Sequence, residues 1–159
     1  MRKTVLLACV AAAARFSAGA VASVWYVDAD APATGEGTSW AKAFKSIQEG
    51  IAAAADGDRV VVAPGTYLEN IRFEGKNIVL RSTNPLDPEV VRGTVIDGDG
   101  ADSAVSFSGT EKAICVLAGF TIRNGRADYG GGVRGGTEST HTLATIRNNI
   151  ITGNRADEG

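Results

Sequence analysis

The chain has 159 residues, with 16 basic and 18 acidic side chains and a formal net charge of −2. That length suits one domain, and no basic patch with interleaved aromatic residues occurs, which argues against a nucleic-acid partner. Gly is abundant, at 20, and Pro scarce, at 4; the glycines cluster among short β-branched runs, the pattern of many turns rather than of disorder.

At the N-terminus Arg2 and Lys3 precede an apolar run from Val5 to Ala14, interrupted late by Arg15, and small residues lead to Ala20-Val21-Ala22. This is the order of a secretory signal peptide, residues 1–22, and it predicts a secreted or cell-surface product. The run is too short to span a bilayer and no later run is long enough, so the mature chain, 23–159, is expected to have no transmembrane segment. Leu6-Leu7-Ala8-Cys9 resembles a lipoprotein processing box but lies too close to Met1 to leave an apolar region before it. Loss of Arg2, Lys3 and Arg15 leaves 13 basic and 18 acidic side chains, a formal charge of −5. Cys115 is then the only cysteine, so no intramolecular disulfide forms. It sits in the apolar run Ala113 to Leu117 and reads as a buried, inert thiol.

Val24 to Asp28 is rich in strand formers, and a polar, Gly-containing loop follows from Ala31 to Thr38. Ser46 and Glu49 form a Ser-x-x-Glu capping box, and Ile47, Ile51 and Ala54 or Ala55 fall on one face of a helix over 46–55, with Gly57 as its stop signal. Short strands are then expected around Arg59–Ala63, Tyr67, Asn70–Phe73, Asn77–Leu80, Gly93–Ile96, Ala104–Phe107, Phe120–Ile122, Thr145–Asn148 and Ile150-Ile151, each bounded by Gly, Asn, Asp or Pro. No helical pattern separates them, so a doubly wound α/β sheet is not expected.

A repeat sets the architecture. Ile122-Arg123-Asn124-Gly125-Arg126-Ala127-Asp128-Tyr129-Gly130 aligns with Ile151-Thr152-Gly153-Asn154-Arg155-Ala156-Asp157-Glu158-Gly159 at an offset of 29, and Thr-Ile-Arg-Asn occurs at Thr121 and again at Thr145. Recurrence at this scale predicts stacked units that share one core. The segment Trp25-Tyr26-Val27-Asp28, then Gly37-Thr38-Ser39-Trp40, the helix, and Gly57-Asp58-Arg59-Val60-Val61-Val62-Ala63-Pro64-Gly65-Thr66-Tyr67 resembles the N-terminal cap and first coil of secreted bacterial proteins of the pectin-lyase-like superfamily. Gly119-Phe120-Thr121-Ile122-Arg123-Asn124-Gly125 and Gly130-Gly131-Gly132-Val133 resemble their coil repeats. The resemblance implies an all-β, right-handed parallel β-helix, a solenoid, with an N-terminal capping α-helix over its open first coil. The sequence stops at Asp157-Glu158-Gly159 where the earlier copy continues, so 23–159 is expected to be the N-terminal part of a truncated domain, prone to self-association through an open C-terminal coil.

Three groups of residues bear on chemistry. Asp97, Asp99 and Asp102 surround a Gly-rich turn; they read either as oxygen ligands for calcium or as a solvated turn, and their spacing fits neither an EF-hand nor a nonapeptide calcium repeat. Arg126, Asp128, Arg155 and Asp157 occupy equivalent places in successive repeats; they read either as a surface charge ladder or as a stripe that grips sugar acids through paired Arg hydrogen bonds. Asn124, Asn148 and Asn154 read as structural, either as left-handed turn residues or as side chains that hydrogen-bond between stacked units. His141 lies in polar company with no second His or Cys for zinc. Trp25 and Trp40 could stack on sugar rings or pack beside the cap.

By resemblance, the cleaving relatives use either carboxylate-held calcium with an Arg or Lys base, or clustered Asp residues as acid and base. The hydrolase-type Asn-Thr-Asp, Asp-Asp and Gly-His-Gly signatures are absent from this sequence. The first functional expectation is therefore a non-catalytic, exported protein that binds polysaccharide or cell-envelope glycans or builds the cell surface. The second is a piece of a pectate-lyase-like polysaccharide lyase or a glycoside hydrolase.

Overall fold

The computed structural model describes residues 21–32 and 34–158. The expected signal peptide, except for its last two positions, lies outside the described residues. The chain is mostly β, with few helices and strands paired in parallel.

In chain order, β1 (Val24–Val27) is followed by a loop with one 3₁₀ turn, Trp40–Lys42, and by α1 (Ile47–Ala53). Next come β2 (Arg59–Val62), β3 (Gly65–Leu68), β4 (Ile71–Arg72) and β5 (Val79–Ser82). A short helix, α2 (Pro88–Gly93), precedes β6 (Thr94–Asp97), β7 (Val105–Ser106), β8 (Val116–Ala118) and β9 (Thr121–Arg123). The chain continues with β10 (Arg126–Ala127), β11 (Val133–Arg134), β12 (Gly136–Thr137), β13 (Thr140–His141), β14 (Thr145–Arg147), β15 (Ile150–Ile151) and β16 (Arg155–Ala156).

Three parallel ladders organise these strands: β1-β2-β5-β8-β14, β3-β6-β9-β15, and β4-β7-β11. From β2 to β11 the chain visits them in one repeated order, first, second, third. Two elements stand apart: the parallel pair β10–β16, and the antiparallel hairpin β12–β13 between β11 and β14.

Register stacks like on like. Val60, Leu80 and Leu117 are partners in the first ladder. Tyr67, Ile96 and Ile122 are partners in the second, and Ile71 and Val105 in the third. All eight side chains are buried. Phe73 and Phe107 follow the third ladder and stack at 4.4 Å between centroids. Each fully buried Leu, Ile or Phe contributes roughly 1.5–3 kcal/mol by leaving water. These stacks are the core, and each ladder supplies one wall. The next partners in the first two stacks, Ile146 and Ile151, are 40% and 50% exposed.

At the other end α1 covers the core. Its N-terminal amides are all satisfied, as a helix end close to a core requires. Ile47 and Gln48 donate to the Glu69 carboxylate at 2.8 and 2.9 Å. Glu49 donates to Ser46 Oγ, and the Glu49 side chain accepts from Ser46 in return, the capping box expected. Lys76 Nζ donates to the carbonyls of Ile51 and Ala52 at the far end, 2.8 Å each. Gln48 also exchanges two hydrogen bonds with the backbone of Arg72, so this helix satisfies part of the exposed edge of β4. Gly50 permits the approach: a Cβ there would lie 2.8 Å from Val60 and 2.9 Å from Val27 side-chain carbons.

Two expectations need correction, and a third is narrowed. The helix ends at Ala53, with Ala54 already extended, so Gly57 belongs to the following turn, at φ +92°, and does not stop the helix. Ala54, not Ala55, completes the buried face. The second helix, α2, was absent from the expected pattern. Asp87 caps it through the Glu89 amide and Pro88 opens it, but at six residues it is too short to show a periodic apolar face.

Candidate functional site

The 29-residue repeat is a register relationship. Ile122 pairs with Ile151 and Arg126 with Arg155 in neighbouring parallel strands. The shorter echo is not: Thr121 belongs to the second ladder and Thr145 to the first. Its recurrence reflects two corners of the same kind. Asn124 and Asn148 end these strands, each at φ +56°, a left-handed conformation Asn tolerates. Asn149 and Asn154 instead tie one layer to the next. Asn149 accepts from the Phe120 amide and donates to the Leu117 carbonyl; Asn154 accepts from Gly125 and donates to Ile122. These asparagines are structural.

Around Arg126 the turns after β9 and β15 approach closely. A Cβ on Gly125 would lie 1.9 Å from the Gly131 carbonyl oxygen, and one on Gly131 would lie 1.9 Å from that of Arg155. Bare backbone at these positions lets β10 and β16 pair. Arg126 Nε then donates to Asp157 at 3.0 Å, and Arg155 Nε donates to the other oxygen of the same carboxylate. Hydrogen bonds from Arg155 and Arg126 hold the Asp157 carboxyl below its ordinary range.

A cleft of about 500 Å³ opens beside this cluster, lined by Asp102, Arg126, Asp128, Tyr129, Arg134 and Asp157 among others. A larger one, about 920 Å³, adjoins it and includes Arg72, Glu74, Phe107, Glu138 and His141. Tyr129 and Arg134 line both, so the two form one groove along the outer side of the third ladder. Arg72 and Arg134 are each the register partner of Ser106, and each follows the apolar residue that faces the core. Tyr129 is 57% exposed, and its hydroxyl donates to Glu158 at 3.0 Å. The ring is an exposed aromatic surface among arginines and carboxylates.

Of the four expected ligand residues, the structure gathers Arg126, Asp128 and Asp157 in this groove. Arg155 lines a neighbouring depression with Asp99 and Asn124. Sequence reasoning missed Arg72, Tyr129 and Arg134. Two of these stood one residue past an inward-facing β-branched side chain, buried Ile71 in Ile71-Arg72 and half-buried Val133 in Val133-Arg134, which was the available signal.

The acidic turn is built differently from a shared ligand set. Asp97 is buried and accepts from Arg123 Nε at 2.9 Å, from Asn124 Nδ2, and from the Asp99 amide. Burial opposes its charge, but these hydrogen bonds outweigh it and hold the carboxyl below its ordinary range. Asp102 accepts from the Ser103 amide and faces Arg72 at 3.4 Å. Asp99 sits at φ +49° and lines the neighbouring depression. Among the described residues, no three or more His, Cys, Asp or Glu side chains are grouped to hold a metal ion, calcium included. Asp97 and Asp102 serve separate partners, Arg123 and Arg72.

Cys115 and Trp25 are packed. Burial pushes the Cys115 thiol up to about 12, which keeps it protonated and unreactive. Trp25 donates its indole N–H to buried Asp58 at 3.0 Å and stacks on Phe44. Among the described residues no helix is long and apolar enough to cross a membrane. No protein-family model matches the chain, and no curated protein matches it.

Proposed function

We propose that the chain is an exported parallel β-helix protein that binds anionic polysaccharide without cleaving it. The repeated visiting order of the three ladders, with in-register apolar stacks, supports the β-helix reading. The signal-peptide pattern of residues 1–22 supports export to the medium or the cell surface, where such glycans are found.

One observation carries the ligand class: Arg126, Arg134 and Arg72 border a groove in which Tyr129 presents a bare ring. Arginine grips a carboxylate through two parallel hydrogen bonds, and an aromatic face packs on the C–H face of a sugar. Repetition of such contacts along a groove suits a repeating polyuronate. The non-catalytic reading rests on the carboxylates. A general acid needs a raised pKa, whereas Asp157 is held low by its two arginines and Asp102 faces Arg72.

Affinity electrophoresis and calorimetry with polygalacturonate and a neutral galactan test this. Expected is salt-sensitive binding of the polyuronate alone, weakened about tenfold or more by Arg126→Ala with Arg134→Ala. Equal binding of both polymers overturns the ligand class. Formation of unsaturated uronide products overturns the non-catalytic reading.

A further inference from the structure

We infer that the outer face of the first ladder carries a second, separate site, which takes a single acidic sugar residue. It lies at a cleft of about 410 Å³ lined by Tyr26, Trp40, Arg59, Val61 and Arg81 together with Val24 and Thr83. None of these residues lines the groove at Arg126.

Register builds its floor. Tyr26 pairs with Val61 and Val61 with Arg81, while Arg59 lies on β2 two residues before Val61. Side chains two apart on a strand share a face, so Arg59, Val61 and Arg81 project together with Tyr26. The 3₁₀ turn then sets Trp40 over Tyr26, edge to face, with ring centroids 4.8 Å apart and planes at 62°. The two rings form a corner, and Trp40 remains 44% exposed although buried Val27 and Ala43 lie close by in the chain.

The charge of this corner is unbalanced. No carboxylate lines it. Among the described residues Arg59 and Arg81 have no ion-pair partner, whereas Arg72, Arg92, Arg123, Arg126 and Arg155 each have one. Arg81 is held in place, because its Nη1 donates to the carbonyls of Ser82 and Thr83 at 2.9 Å each. A fixed guanidinium, a second one diagonal to it, and an aromatic corner match a ring that carries a carboxylate: the ring stacks, and the carboxylate meets the arginines. The volume suits one sugar unit and not a helix or a strand.

Tryptophan emission reads this site directly, with tri-galacturonate as the probe at low ionic strength. Expected is a saturable emission change in the unaltered protein, absent in Trp40→Phe and shifted to about tenfold higher concentration in Arg59→Ala. Arg59→Lys, which keeps the charge but loses the fork, is expected to fall between; it serves if Arg59→Ala does not melt cooperatively. Arg126→Ala is expected to leave the emission change intact, so failure of the groove and failure of this site are told apart. A change that persists in Trp40→Phe, or that neutral galactotriose reproduces at the same concentration, overturns the proposal. So does no change at all.

Discussion

Arg126 and Arg155 stand side by side in neighbouring parallel strands, and one carboxylate, Asp157, accepts a hydrogen bond from each. Two like charges at adjacent positions repel, and the acid between them is what makes the pairing tolerable.

That acid also competes with any carboxylate entering the groove. In Asp157→Asn the arginines lose their internal partner, so polygalacturonate is expected to bind several-fold more tightly at low salt, with the gain lost at high salt. The cluster is exposed, so little change in melting temperature is expected. Calorimetry at two salt concentrations checks this; weaker binding would mean that Asp157 instead orients Arg126 for the ligand.

Asp97 gives a pH dependence with a definite sign. Its folded carboxyl lies below the ordinary value near 3.9, so its stabilising effect is fully present above that value. The effect is lost as pH falls through the depressed folded value. Asp97→Asn should therefore lower stability at neutral pH by about 1–3 kcal/mol and make the acid limb of the melting curve shallower. Glu69 acts in the opposite sense, since burial raises its carboxyl, and comparison of the variant with the parent protein cancels it.

Gly125 is expected to tolerate no side chain. Its Cβ would meet the Gly131 carbonyl and the Ala104 backbone nitrogen, neither of which is a flexible end. Gly125→Ala should cost about 1–3 kcal/mol in chemical unfolding. It should also weaken groove binding, because it separates the turn before Arg126 from the strand that carries Arg134. Gly100→Ala is the control: nothing lies within 4 Å of its Cβ, though its φ of +69° adds some strain of its own.

Ile51 tests the cover over the core. It is fully buried on α1, and Ile51→Ala is expected to cost about 2–5 kcal/mol. Increased binding of a hydrophobic dye before the main transition would show that the helix lifts first. A single cooperative transition with no early dye binding would show that helix and ladders unfold together.

Much of the first 80 residues was legible because local chemistry decides it. Ser46 and Glu49 announce the helix, and the run Val60-Val61-Val62 announces the strand beneath it. The 29-residue offset marked Arg126 and Arg155 as equivalent, and they are register partners in neighbouring parallel strands. The shorter Thr-Ile-Arg-Asn echo was ambiguous, because strands of two different ladders end on the same left-handed Asn. Most of the groove was not legible. Arg72, Tyr129 and Arg134 share no motif; they meet because the third ladder brings Ile71, Val105 and Val133 into register. Strands of two residues carry too little pattern to reveal such a meeting. Likewise the acids near Asp97 looked like one cluster in sequence, and only the chain path assigns Asp97 to Arg123 and Asp102 to Arg72.

The ladders also bear on how the chain acquires its shape. Arg59 pairs with Val79, Val79 with Val116, and Val116 with Thr145, so each strand waits only for the next stretch of a few dozen residues. No pairing in these ladders joins the two far ends of the molecule. A chain that becomes free from its N-terminus onward thus has, at every moment, a finished surface on which to lay its newest strand, with α1 closing the side from which growth began. Each such pairing closes a loop of a few dozen residues, so the ladders permit growth strand by strand from α1 outward.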